Sequence, residues 1–317
     1  MNRKNKKTMS NMKKYIFILI LALSCNWLTA QQELMISQYM FNGLVLNPAY
    51  AGSHNYWSAS VLHRSQWIKF DKAPSTQTAA IDGRIAGGKL GLGFNLSNDA
   101  IGVTNQFDLG ANLSSRVSLG AGFLSAGIRV GASRYSADVT KLDVHQQGDP
   151  VYANNINGEI APRLGAGLYY YQRTWFVGLS VPSILALDEK IAHYSDGMNS
   201  FYRAHAYLNA GVVIESSPDL AFKPSILVKM QGNAPLQVDL NMNVLMMRKF
   251  WIGAGYRTGD ALIAMLEWNI TNQLRIGYAF DYTLSDIQRY SNNSHEVMLG
   301  FDFGKDVNIK ARSPRYF

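Results

Sequence analysis

The chain has 317 residues, a single cysteine and a formal net charge of +8. One cysteine excludes a disulfide scaffold. Six of the 30 cations (Arg3, Lys4, Lys6, Lys7, Lys13 and Lys14) lie in the first thirty residues, which hold no acid; beyond Ala30, 24 Lys plus Arg face 22 Asp plus Glu, and the charge argument for nucleic-acid binding lapses.

In chain order, those cations precede the apolar run Tyr15 to Leu23 and the small-residue end Leu28-Thr29-Ala30. That is the layout of a secretory signal peptide, residues 1–30, with cleavage expected after Ala30. Cleavage removes Cys25, so the mature chain carries no thiol. Lipid modification at Cys25 is the alternative, but Ala22-Leu23-Ser24 fits a lipoprotein signal poorly. No later apolar run approaches the 18 or more residues of a helical span, whereas barrel strands, whose hydrophobicity is halved by alternation, remain open. With no linker or low-complexity tract, the mature chain reads as one domain.

Residues 31–55 are apolar without strand-like alternation, and are expected to plug a lumen or cap one mouth. From Trp57 on, alternation bounded by Gly, Asn, Asp, Ser and Pro marks fourteen strands. The early ones are Trp57 to Gln66, Thr76 to Ile85, Lys89 to Ser97, Asn105 to Arg116 and Gly120 to Ala137. The middle ones are Pro162 to Gln172, Thr174 to Val181, Phe201 to Glu215, Ala221 to Gln231 and Leu236 to Met246. Phe250 to Arg257, Ala261 to Ile270, Gln273 to Leu284 and His295 to Gly304 complete the set. Asp138 to Ala161 and Pro182 to Ser200 read as loops beyond the membrane, and residues 305–317 as a basic tail.

Period two puts one apolar and one polar face on each strand. Leu274, Ile276, Tyr278, Phe280, Tyr282 and Leu284 alternate with Arg275, Gly277, Ala279, Asp281 and Thr283, over the roughly 9 to 11 residues that a tilted transmembrane strand needs. A soluble sandwich or barrel also alternates, with its apolar face inward. Against it stand the size of the core that fourteen long strands would require and a polar face rich in Gly, Asn, Ser and Arg. Aromatics near strand ends (Trp57, Trp67, Tyr169 to Tyr171, Trp175, Tyr278, Tyr282) suggest membrane girdles. The expected fold is therefore all-β: a transmembrane antiparallel barrel of about fourteen strands, residues 56–304.

No catalytic, cofactor or metal site is expected. The six histidines lack ligand spacing, the run Gly253 to Gly259 has no helix after it to make a phosphate loop, and His63 near Ser65 is the closest approach to a nucleophile and base, without a third orienting residue. The inward face is predicted to carry Arg64, Arg84, Arg129, Arg163, Arg203, Lys223, Lys229, Arg257 and Arg275 against Asp82, Asp108, Asp239, Glu267, Asp281 and Asp302. Mixed signs read either as a cross-lumen network of ion pairs or as the lining of a wet pore.

The segment Ser37 to Ser53, SQYMFNGLVLNPAYAGS, resembles the N-terminal signature of the PorP/SprF family of type IX secretion outer-membrane proteins, in which proline often stands where this chain has Gly43. Arg64-x-x-Trp67 and the ending Ser313 to Phe317 agree with it, and the likeness spans the mature chain in length and strand spacing. The resemblance implies a non-enzymatic barrel in the outer membrane of a Gram-negative bacterium. It would work with secretion and gliding machinery, its partners being membrane lipids, periplasmic ring lipoproteins or a large secreted adhesin. Tyr39, Phe41, Asn47, Pro48 and Tyr50 are candidates for partner contact. A channel or transporter for small or hydrophobic solutes is the rival; an inward apolar cluster would favour it, the inward charges the accessory role.

Overall fold

A computed structural model describes residues 35–141, 155–186, 204–231 and 234–304. The expected signal peptide, the C-terminal tail, Arg203 and most of the two long loops lie outside the described residues.

Fifteen strand segments form one antiparallel sheet: β1 (Trp57–Ser65), β2 (Ser75–Ile85), β3 (Leu90–Ile101), β4 (Thr104–Leu119), β5 (Gly122–Ala137), β6 (Ile156–Tyr171), β7 (Trp175–Ala186), β8 (His205–Val212), β9 (Ile214–Ser217), β10 (Leu220–Gln231), β11 (Gln237–Met246), β12 (Phe250–Arg257), β13 (Ala261–Asn269), β14 (Leu274–Thr283) and β15 (Ser294–Phe303). β8 and β9 both pair with β10 and are halves of one strand, interrupted at Val213, whose N–H bonds Thr174 O at 2.7 Å. The last strand returns to the first, from Trp57↔Phe303 to Ser65↔His295, so the sheet closes as a fourteen-stranded barrel with no free edge.

The alternation lies as the sequence predicts. On β14, Arg275, Gly277, Ala279, Asp281 and Thr283 are buried, while Ile276, Tyr278 and Tyr282 are exposed; on β11, Gln237, Asp239, Asn241 and Asn243 point inward. A wall whose outside is Leu, Ile, Val and aromatic is stable only against hydrocarbon. No described helix is long and apolar enough to cross a membrane, so the crossing is made by strands.

At one end of the barrel every connection is short (86–89, 120–121, 172–174, 218–219, 247–249 and 270–273), and the start of β1 and the end of β15 lie there too. The other end has the turns 102–103 and 258–260 and also the longer connections, among them 66–74 and 284–293, which are tied by Ile68 N→Asn293 O and Asn292 N→Ile68 O. Short turns mark the periplasmic end of such barrels. At that end Trp57 stacks on Phe303 and Phe250 on Trp268, each pair with interplanar angles near 20°.

Three local readings need correction. β6 begins at Ile156, so 156–161 is strand rather than loop, and β7 extends to Ala186: both continue past a register shift, opposite Arg134–Ser136 and Leu164–Ala166, that breaks the alternation. Tyr169 and Tyr171 are buried inside, leaving Tyr170 and Trp175 to the outer girdle. Trp67 stands two residues past the end of β1, near the strand end as read from sequence, at φ 48°.

The plugged lumen as candidate functional site

Residues 35–54 run through the barrel interior from the long-loop end to the short-turn end. Three tight turns, at Tyr39–Phe41, Gly43–Leu46 and Pro48–Tyr50, coil them. The sequence dictates the last one. Asn47 accepts the Ala49 N–H at 2.9 Å through its side-chain oxygen, and Pro48 at the first position has no N–H to satisfy. Wall glycines make the room: a Cβ at Gly127 would collide with the backbone of Pro48 and Ala49, and one at Gly91 with the carbonyl of Ala51.

At the long-loop end the plug is latched by charge. Glu296 accepts the backbone N–H groups of Ser37 and Gln38, both at 2.8 Å. The Ser37 hydroxyl donates to Asp281 at 2.7 Å and accepts from Arg64 and Arg257, each at 3.1 Å. Asp281 in turn pairs with Arg64 at 2.8 Å and Arg257 at 3.1 Å. Arg257 also reaches Asp239 and Asp260 at 3.2 Å, and Lys229 meets Asp239 at 3.1 Å. Three cations thus face four carboxylates, and within this group only Lys229 and Asp260 are more than 2% exposed at the side chain. In such a dry interior each charge depends on its partners, because losing one strands the rest.

Further down, wall side chains satisfy the plug backbone. Arg129 donates to the carbonyls of Leu44 and Val45 at the end of the α-turn, and to Asn112 Oδ1. Ser180 donates to Leu46 O and Ser114 to Ala51 O, each at 2.7 Å. Asp82 accepts the Gly52 N–H at 2.9 Å, and Arg84 holds the carbonyls of Gly52 and Ser53. Without these contacts the irregular segment would bury unpaired polar groups at about 1–3 kcal/mol each.

Apolar packing fills the remainder. Phe41 lies 6.3 Å from Trp251, Tyr50 lies edge-on to Tyr169 at 5.5 Å, and the Lys223 ammonium sits 5.8–6.0 Å from the rings of Phe41, Phe176 and Trp251. Cavities of about 40 and 20 Å³ beside the plug have room for a water or two and no larger solute. The inward apolar cluster that would suit a transporter is present, with Leu227, Trp251, Ile263 and Met265, but the plug's own Met40, Phe41 and Leu44 occupy it.

The nine residues named for the lumen therefore divide. Arg64, Arg257, Asp239 and Asp281 meet in the latch; Arg84 and Arg129 bind the plug backbone; Arg275, Glu267 and Asp302 are buried in the wall toward the short-turn end. Tyr39, Phe41, Asn47, Pro48 and Tyr50 are all inside the barrel, Tyr39 bonded to Asn241 at 2.6 Å. Ser37, Gln38, Asp260 and Glu296 were not singled out from sequence. Glu296 shares its parity with Asp302 on β15, which was the available signal. On the outer wall His63 Nε2 and Ser65 Oγ are 3.0 Å apart, but the group beside His63 Nδ1 is the amide of Gln77, which cannot stabilise an imidazolium as a carboxylate does. Among the described residues no three His, Cys, Asp or Glu gather as a metal site.

Residues 28–301 match the type IX secretion system membrane protein family PorP/SprF. The chain belongs to that family. No curated protein matches it. Among solved structures it resembles the Acinetobacter baumannii outer membrane protein Omp33 (9% identity, 80% of this chain and 100% of that one, TM-score 0.47). It also resembles the CymD monoaromatic hydrocarbon channel (10%, 84% and 92%, 0.48) and the Ralstonia pickettii toluene transporter TbuX (10%, 83% and 92%, 0.48). This PorP/SprF protein is a barrel of the outer membrane with a role in type IX secretion.

Proposed function

We propose that this PorP/SprF protein is a non-conducting accessory subunit of the type IX machinery. In this role it links the translocon, or a large secreted adhesin, to ring lipoproteins in the periplasm. The observation that carries the reading is the plug. A lumen filled by the chain's own family signature leaves the outer wall, the turns and the loops as the surfaces that work. Tyr39, Phe41, Asn47, Pro48 and Tyr50 hold the plug in its folded seat, and they meet a partner only when that segment leaves the lumen. The reading is tested by purifying the tagged protein from outer membranes in mild detergent and identifying what accompanies it. Ring lipoproteins or an adhesin are expected; a protein that emerges alone and conducts solutes in planar bilayers would make it a channel instead.

A further inference from the structure

The outer wall carries a concavity of about 570 Å³ that the plugged lumen does not explain. It lies between two rows of directly paired residues. One row runs Leu90↔Ser115↔Ala126↔Leu168↔Leu179 across β3 to β7, and the other Leu113↔Ile128↔Ala166↔Val181 across β4 to β7. Its floor is low because Ser115, Ala126 and Ala166 are small beside the Leu, Ile and Val side chains that surround them. The backbones of Gly127 and Gly167 lie beneath it. Its far rim is raised by a bulge. Leu164 pairs with Leu185 but Ala166 with Val181, so β7 has extra residues opposite Gly165 and turns Ile184 outward at 55% exposure.

Length, depth and chemistry agree on an occupant. Five strands at about 4.8 Å spacing make a trough of about 19 Å. An acyl chain inclined by about 45° across one leaflet, half of a roughly 30 Å hydrocarbon core, covers about 21 Å. The first row sits three or four residues from the short-turn ends of β4 to β7, and its first member, Leu90, is the first residue of β3. The trough therefore lies in the periplasmic half of the wall, where the leaflet is glycerophospholipid rather than lipopolysaccharide. It is continuous with the apolar face already in contact with hydrocarbon. At its periplasmic end the exposed Lys89 precedes Leu90, placing a cation at headgroup level.

We propose that this trough is a binding site for one acyl chain of an inner-leaflet phospholipid, with Lys89 beside its phosphate. The test is native mass spectrometry of the full protein released from mild detergent. Wild type is compared with Ala126→Phe/Ala166→Phe, which fills the trough, and with Ile252→Phe, which adds bulk to the lipid-facing wall on β12. Folding is checked by heat-modifiable gel mobility. Wild type and Ile252→Phe are expected to retain one phospholipid per protein, and the filled variant to retain about tenfold less. Equal retention by all three would overturn the proposal. So would retention of lipid A in place of phospholipid, or a wild-type dimer that the filled variant abolishes, since the trough would then be a protein interface.

Discussion

The Glu296 carboxylate accepts the Ser37 backbone N–H at 2.8 Å across 259 residues of sequence, and so ties the start of the plug to the start of the last strand. Its second oxygen takes the next N–H, of Gln38, at the same distance. One wall side chain thus supplies acceptors for two consecutive buried donors that no turn or strand partner reaches.

Replacing that acceptor should unfasten the plug without opening the barrel ladder. In Glu296→Ala two buried N–H groups lose their partner, at about 1–3 kcal/mol each, while Arg64 keeps Asp281. The expected result is current steps in planar bilayers where wild type is silent, with the folded barrel still heat-modifiable. A variant as silent as wild type, with an unchanged unfolding midpoint, would mean that Glu296 does not hold the plug.

The ion pairs should separate sharply by burial. Asp281 joins Arg64, Arg257 and Ser37 with 2% of its side chain exposed, so Asp281→Asn removes the carboxylate that two buried cations share, leaving Arg64 with Glu296 and Arg257 with Asp239 and Asp260, and should cost about 3 kcal/mol. Arg173 and Glu215 are paired at 3.1 Å, but their side chains are 68% and 48% exposed, and Arg173→Ala should cost under about 1 kcal/mol. Urea titrations in lipid vesicles, followed by tryptophan fluorescence, measure both. Comparable losses would refute the assignment of stability to the latch.

Much of this barrel was legible because alternation is a local property. Phe250–Arg257 has the boundaries read from sequence, and Val238, Leu240 and Met242 face outward because residue parity alone decides it. What parity cannot give is whether a strand continues past a bulge, and β6 and β7 run longer than their alternation for that reason. Nor does it reveal that Tyr169 serves the plug rather than a girdle, since inward aromatics look alike until their partner is known. The latch was half visible. Arg64, Arg257, Asp239 and Asp281 carry charges on inward positions, whereas the role of Ser37 depends on the path of an irregular segment that no period describes.

The space for that path is kept by glycine, which gives a test that leaves every charge in place. At Gly127 a side chain would press into the backbone of Pro48 and Ala49, yet the position is in the middle of β5, where valine suits the strand. Gly127→Val should therefore expel the Pro48–Tyr50 turn while the barrel assembles. Limited proteolysis is expected to cut within residues 35–54 in the variant and not in wild type. Equal resistance would show that the plug can shift around the added methyl groups.

Orientation follows from the turns and is checked by thiol labelling, for which Cys25, the chain's one cysteine, offers no competition once the expected signal peptide is removed. Tyr290 is 77% exposed on the long connection 284–293, and Met247 is 67% exposed in the turn between β11 and β12 at the opposite end. If short turns face the periplasm, a membrane-impermeant maleimide should label Tyr290→Cys on intact cells and Met247→Cys only after the outer membrane is permeabilised. The reverse pattern would invert the barrel, placing the latch at the periplasmic mouth and the apolar trough in the outer leaflet. The lipid occupant inferred for the trough would then fail together with the orientation on which it rests.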